Sequence, residues 1–247
     1  MDDTLNDQRA LRQLLSTARA VLFDFDGPVT DLFGGNPTQP VAERIKSVVR
    51  PLWGPLPQDI EECRDSHVIL RLLRDAYDQP ALTALGPRPL TEAEAIVTSQ
   101  EYDAVASADP VPGVTAAVDA LLRAKGTALA IVSNNSDGPV WEFLKRHGLQ
   151  SGFGVVVGRD PHELRHMKPD PYSVKQAVAQ LGLEPADCLL IGDQLTDLEA
   201  ALSAGTRFLG YSRSADRAKA MSRQGAELVI TSYRPLIGAA DELHSSN

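Results

Sequence analysis

The strongest constraint on this chain is a repeating pattern. Short apolar runs alternate with helix-length stretches, and the runs break off abruptly at polar residues. The runs fall at residues 20–23, 128–132, 154–157, 188–191, 208–211 and 228–230. They are too short for helices and lack polar alternation, so they read as strands buried on both faces. Helical spacing fills the intervals at 114–125, 138–147, 171–181 and 196–204, with one more helix between the last two strands. Glycines at 126, 148, 182 and 205 mark helix ends. The pattern predicts an α/β fold with a parallel sheet covered on both faces. Residues 5–20 add an amphipathic helix with Leu11, Leu14, Leu15 and Ala18 on one side. That side needs a partner, either the core or a second subunit.

Residues 31–108 break the pattern. Prolines at 51, 55, 57, 80, 87 and 89 punctuate the segment, and no strand is evident. Residues 59–77 read as a helix with Ile60, Cys63, His67, Leu70 and Tyr77 near one face. Thr91 and Glu94 fit a capping box opening a helix that runs to about residue 106. The expected division is therefore a core made of 1–30 and 109–247 with a helical insertion at 31–108. Trp53, His67 and Tyr77 read as packing residues. Arg44, Lys46, Arg50, Arg64, Arg71, Arg74 and Arg88 offer anion contacts, but long cations usually lie on solvated faces.

Composition narrows the function. The 247 residues carry 33 acidic and 24 basic side chains, a net charge of -9. Such a surface repels nucleic acid and anionic membranes at long range. No apolar run approaches the roughly 20 residues of a membrane span. The start, Met1 to Asp7, is acidic rather than basic, unlike a secretory leader. Cys63 and Cys188 lack zinc-site spacing, and Cys188 sits in an apolar run as a core thiol. The expected compartment is the cytoplasm.

In a parallel sheet the ligand site lies at the carboxyl ends of the strands. After residue 23 come Asp24, Phe25, Asp26 and Gly27. Two carboxylates leaving a buried strand repel each other and lose solvation, a conflict that a divalent cation removes. After residue 132 come Ser133, Asn134 and Asn135, a hydroxyl and free amides suited to an anion, or simply a helix cap by Ser136 or Asp137. Past the third strand, Lys168 is pinned before Pro169. After residue 191 come Gly192, Asp193, Gln194, Leu195, Thr196 and Asp197, where Asp193 or Thr196 offers a plain helix cap. Each cluster alone has a bland reading. Together they place acids, a lysine and a hydroxyl at one sheet edge, the equipment of phosphoryl transfer.

These clusters, in this order and spacing, resemble the four motifs of the haloacid dehalogenase superfamily of hydrolases. The resemblance implies a Rossmann-like core and a helical cap at the insertion, hinged at residues 33–37 and 109–113. It implies Mg²⁺ and a small phosphorylated metabolite as substrate. Asp24 would be the nucleophile and a metal ligand. Asp26 would act as general acid and base, its carbonyl touching the metal. Ser133, the Asn134 amide and Lys168 would hold phosphate. Asp193 would bind the metal with Asp197 behind it. The implied subgroup is phosphoglycolate-phosphatase-like or β-phosphoglucomutase-like.

Asp26 argues against carbon–halogen and phosphonate cleavage, because members with those activities lack an acid there. Sugar phosphomutases of this family typically carry a histidine soon after the first motif, and residues 32–37 contain none. The expectation is a magnesium-dependent phosphatase, ahead of a phosphomutase and of a non-catalytic binding protein on the same fold. Nothing in the sequence decides between monomer and homodimer.

Overall fold

The computed structural model describes residues 6–34, 37–124 and 126–245. The chain opens with α1 (Gln8–Ser16) and β1 (Ala20–Phe23). The insertion follows as α2 (Gln39–Trp53), α3 (Gln58–Glu62), α4 (Ser66–Tyr77), α5 (Pro80–Thr83) and α6 (Arg88–Val105). The chain then alternates: α7 (Val114–Arg123), β2 (Ala128–Val132), α8 (Asp137–Arg146), β3 (Val155–Val157) and α9 (Tyr172–Leu181). It ends with β4 (Cys188–Gly192), α10 (Leu195–Ala204), β5 (Arg207–Tyr211), α11 (Ala215–Arg223), β6 (Leu228–Ile230) and α12 (Arg234–Ser245).

The six strands form one parallel sheet in the order β3-β2-β1-β4-β5-β6. Alternate strand residues feed two cores on opposite faces. Val21, Phe23, Leu129, Ile131, Leu189 and Ile191 enter one core. Ala20, Leu22, Ala130, Val132, Cys188 and Leu190 enter the other. Burial on both faces is why these strands carry no polar alternation. The Cys188 thiol is buried and its pKa is pushed up to about 11, chiefly by that burial, so it is an inert core group.

The insertion holds a third apolar cluster of its own, built on Ile45, Val49, Ile69, Leu70, Leu73 and Val97. Leu164 and Met167, from the loop before Lys168, join it and seat the helices on the sheet edge. Among the described residues the insertion contains no strand. Trp53 and Tyr77 stack within it at 5.9 Å between ring centroids, in keeping with a packing role.

Several local expectations change. The expected helix at 5–20 is shorter: its start at Leu5 lies outside the described residues, Asp7 caps it by accepting from the Ala10 amide, and the chain leaves it at Thr17 to enter β1. Its buried Leu11, Leu14 and Leu15 join the core beside α12, which settles the first of the two partners considered. The helix expected at 59–77 is two helices. The Asp65 carboxylate accepts from the His67 and Val68 amides and starts α4 afresh, while Cys63 is extended. Thr91 is no cap, because α6 already begins at Arg88 with proline in its first turn. The expected end of α7 at Lys125 and the hinge residues Gly35 and Asn36 lie outside the described residues.

Candidate active site

Phe23 pairs with Ile131 on one side and Ile191 on the other. This register sets Asp24, Ser133 and Asp193 at the same edge of the sheet. The loop after β3 returns there with Lys168. Its ammonium lies 2.6 Å from Asp24 Oδ1 and 2.6 Å from Asp197 Oδ1, and it donates to the Val132 carbonyl at 3.3 Å. All three side chains are buried. Burial lowers the Lys168 pKa, but Asp197 and Asp24 outweigh it and hold the ammonium above the usual lysine range. Burial, then Asp197, pushes Asp24 well up, with Lys168 opposing.

Asn134 accounts for the placement of the lysine. Its side-chain oxygen accepts from the Lys168 amide at 2.8 Å, and its Nδ2 donates to the Lys168 carbonyl at 3.3 Å. Ser133 Oγ donates to Asn135 Oδ1 and accepts from the Asn135 amide, both at 3.0 Å. The Asn134 amide has no hydrogen-bond partner among the described residues. Ser136 is the helix cap by position, yet its hydroxyl caps nothing; it contacts Thr98, Glu94 and Arg159 instead.

Asp24, Asp193 and Asp197 each bring a carboxylate oxygen to within 4.8 Å of the others. Burial, then Asp197, pushes the Asp193 pKa up to about 7, with Arg217 opposing at 2.9 Å. Asp193 Oδ1 is buried without a hydrogen-bond partner. Mutually repelling carboxylates with an unsatisfied oxygen fit a hard divalent cation such as Mg²⁺. Two glycines permit the packing. A Cβ on Gly192 would lie 2.4 Å from Asp197 Cβ, and one on Gly27, whose φ is +114°, 2.3 Å from Asp193 Oδ1. Asp197 Oδ2 accepts from the Asp193 and Gln194 amides, and Gln194 completes a capping box with it. Gln194 is thus the cap of α10, where Asp193 or Thr196 was expected. The carboxylate of Asp26 stays outside the trio. Its Oδ1 accepts from the Leu32 amide at 2.8 Å, and burial raises its pKa against that bond and His67.

Two further residues, Arg159 and Glu101, gather beside the Ser133–Ser136 loop without having stood out in the sequence. Arg159 and Glu101 are fully buried and lie 2.7 Å apart. Arg159 also contacts Glu94 at 2.9 Å and donates to the Asn134 carbonyl at 2.8 Å. Glu101 accepts from the Ser136 amide at 3.0 Å and the Asn135 side chain at 3.2 Å. His67 Nε2 lies 3.0 Å from Glu101. Burial would raise the Glu101 pKa, but His67 and Arg159 prevail and lower it to about 2. His67 is therefore more than the packing residue expected of it: it borders a cavity of about 40 Å³ shared with Arg71, Asn134 and Lys168.

Comparison with known proteins gives the family. A family profile described as haloacid dehalogenase-like hydrolase matches residues 18–205, about three quarters of the chain. The chain belongs to this family. Phosphoglycolate phosphatase 1 of Pseudomonas aeruginosa is 28% identical over 231 residues, 91% of this chain and 80% of that one. The N-acetylmuramic acid 6-phosphate phosphatase of the same organism is 29% identical over 233 residues, 90% and 95% of the two chains. A haloacid dehalogenase-like family protein of Streptococcus pneumoniae superposes with a TM-score of 0.56 at 18% identity, over 92% of this chain and 99% of that one. That likeness speaks for the fold alone. This haloacid dehalogenase-like hydrolase is an enzyme of the phosphatase type, as the sequence led us to expect. No helix among the described residues is long and apolar enough to cross a membrane.

Proposed function

We propose that the enzyme hydrolyses a small phosphomonoester through an aspartyl-phosphate on Asp24. The observation that carries this reading is the buried Asp24–Lys168–Asp197 chain at the end of the central strands, both ion contacts being 2.6 Å. An Asp24 oxygen forms a bond to phosphorus as the ester oxygen departs. Asp26, two residues on and kept more basic than an ordinary carboxyl by burial, gives its proton to that oxygen. Asp26 then takes a proton from water, whose oxygen attacks phosphorus, releasing phosphate and restoring Asp24. A nucleophile of this kind divides one difficult displacement into two easier ones.

Ser133 Oγ, the Asn134 amide and Lys168 hold the phosphate oxygens in this reading. Asp24 and Asp193, the Asp26 carbonyl and, behind them, Asp197 hold Mg²⁺. When bound, the ion neutralises charge on the phosphate and on the carboxylates. The helical insertion at 31–108 serves as the cap over the core at 1–30 and 109–247. The hinge is tied on its second strand, where Thr30 Oγ1 donates to the Asp109 carbonyl at 2.9 Å.

The test is phosphate release from a panel of small phosphomonoesters, with Mg²⁺ and with EDTA, for wild type and Asp24→Asn. Release that needs the metal and vanishes in the variant is expected. Near-normal turnover by a folded Asp24→Asn protein would remove the covalent step. Hexose phosphates isomerised without release would replace hydrolysis with mutase chemistry.

A further inference from the structure

Two buried residues of opposite charge hold the loop at residues 133–136, and they come from different parts of the chain. Arg159 follows β3 in the core. Its Nη1 donates to the Asn134 carbonyl and its amide to the Asn135 carbonyl, both at 2.8 Å. Glu101 belongs to α6 of the insertion. It accepts from the Ser136 amide at 3.0 Å and from Asn135 Nδ2 at 3.2 Å. Asn135 passes the constraint on: its Oδ1 accepts from Ser133 Oγ, and its amide donates to that same oxygen. The Ser133 amide donates to the Val157 carbonyl at 3.0 Å. In this loop the Asn134 amide alone is then left without a partner among the described residues.

The backbone is fitted to these contacts. A Cβ on Gly158 would lie 2.4 Å from the Asp137 amide nitrogen and 2.7 Å from the Asn135 carbonyl oxygen, so glycine there lets Arg159 turn beneath the loop. Beyond Glu101, α6 lies equally close to the core. Tyr102 Oη leaves no room for a Cβ on Gly138, and Arg146 donates to the Val105 and Ala106 carbonyls. Glu101 thus reaches the loop from a helix whose far end is tied down.

A role limited to joining the insertion to the core does not account for this arrangement. Apolar side chains would join them without the desolvation cost of two buried ions. What the charged pair adds is direction, because its hydrogen bonds fix the angles of the peptide groups they hold. Direction matters at an anion site, where a displacement of about 1 Å costs on the order of 100-fold in rate.

We propose that Glu101, locked by Arg159, is a positioning residue that sets Ser133 Oγ and the Asn134 amide for the phosphate group, so that the phosphate site is complete only while α6 is seated on the core. This rests on the phosphatase reading above and concerns that same site. Glu101 acts through Asn135 and the Ser136 amide and does not itself touch the substrate.

The experiment measures the Kd of inorganic phosphate by isothermal titration with Mg²⁺ present, and kcat and KM for p-nitrophenyl phosphate. It compares wild type, Glu101→Gln, Asn135→Ala, their double variant, and Arg146→Met, which loosens α6 away from the loop. All are measured below the lowest Tm of the set. Glu101→Gln should raise the phosphate Kd about tenfold and lower kcat about 100-fold. Asn135→Ala should weaken phosphate binding too, and the double variant should be little worse than Glu101→Gln, because both substitutions cut one line of contact. Arg146→Met should lower Tm and leave the phosphate Kd and kcat at wild-type values. Wild-type phosphate affinity in Glu101→Gln, losses that multiply in the double variant, or an equal loss in Arg146→Met would each overturn the positioning role while leaving the phosphatase intact. If Glu101→Gln does not fold, wild-type affinity in Asn135→Ala overturns it instead. Silence of wild type toward phosphate and toward every phosphomonoester would overturn the phosphatase reading and the role with it.

Discussion

Replacing Glu101 by Gln keeps the side-chain shape and removes one charge from the buried junction between α6 and the loop at residues 133–136. The carboxylate is fully buried, yet His67 and Arg159 lower its pKa from the ordinary 4.5 to about 2. At about 1.4 kcal/mol per tenfold change in proton affinity, that amounts to roughly 3 kcal/mol favouring the folded state. The substitution also leaves the Arg159 guanidinium buried with Glu94 as its remaining carboxylate, and breaking a buried pair costs about 3–5 kcal/mol. The charged groups facing Glu101 are Arg159 and, when protonated, His67; Asn135 and the Ser136 amide face it as neutral donors. A depressed carboxyl pKa stabilises the fold fully above pH 4.5, and the contribution is lost as the pH falls toward 2. By pH 3.5 a little over 1 kcal/mol of it, about two fifths, has gone. Urea unfolding of wild type and Glu101→Gln at pH 7.5 and pH 3.5 reads this directly. The expected gap between the proteins is about 3 kcal/mol or more at pH 7.5, and visibly smaller at pH 3.5. A gap under about 1 kcal/mol at pH 7.5, or one that widens in acid, would refute the reasoning.

The other expectations concern the proposed catalytic edge. Asp26→Ala should slow hydrolysis of an alkyl phosphate by about 100- to 10,000-fold, and that of p-nitrophenyl phosphate much less, since its leaving group needs no proton. Equal losses on both esters would remove Asp26 from acid catalysis. Mg²⁺ at about 100 times its dissociation constant should stabilise the protein by about 2.7 kcal/mol, raising Tm by about 5–10 °C over an EDTA control. Asp193→Asn should abolish most of that rise, and an equal rise in the variant would place the ion elsewhere. Gly192→Ala should drive Asp197 from its two amides at an overpacking cost of about 1–3 kcal/mol. A variant with wild-type Tm and Mg²⁺ dependence would show that this contact yields freely.

What could be read in the sequence and what could not separate along a physical line. A strand buried on both faces must be apolar throughout, so the strands announced themselves, and in a parallel sheet their ends share one edge. Asp24, Ser133 and Asp193 could therefore be brought together from chain order alone, and Lys168 through the loop that follows β3. Local competition escaped that logic. Asp65 interrupts what periodicity presents as one helix, and Gln194 rather than Asp193 or Thr196 caps α10. The prolines of the insertion do not prevent its helices: Pro40 lies in the first turn of α2, where no amide bond is lost, and Pro51 lies close to its last residue. The deepest gap concerns charge. Glu101, Arg159 and Arg217 stand at positions where a charged residue ordinarily faces water, and nothing along the chain marks them; nor does anything set Arg71 apart from the other cations of the insertion. Only the seating of α4 and α6 on the sheet edge buries Glu101 against Arg159 while leaving Arg71 half-buried, with no side-chain hydrogen bond or ion pair among the described residues. A charge on a helix acquires its meaning from whatever the fold packs against it. In the proposed reading the phosphate chemistry is thus written at the strand ends, whereas the charged residues packed around it become distinctive only after assembly.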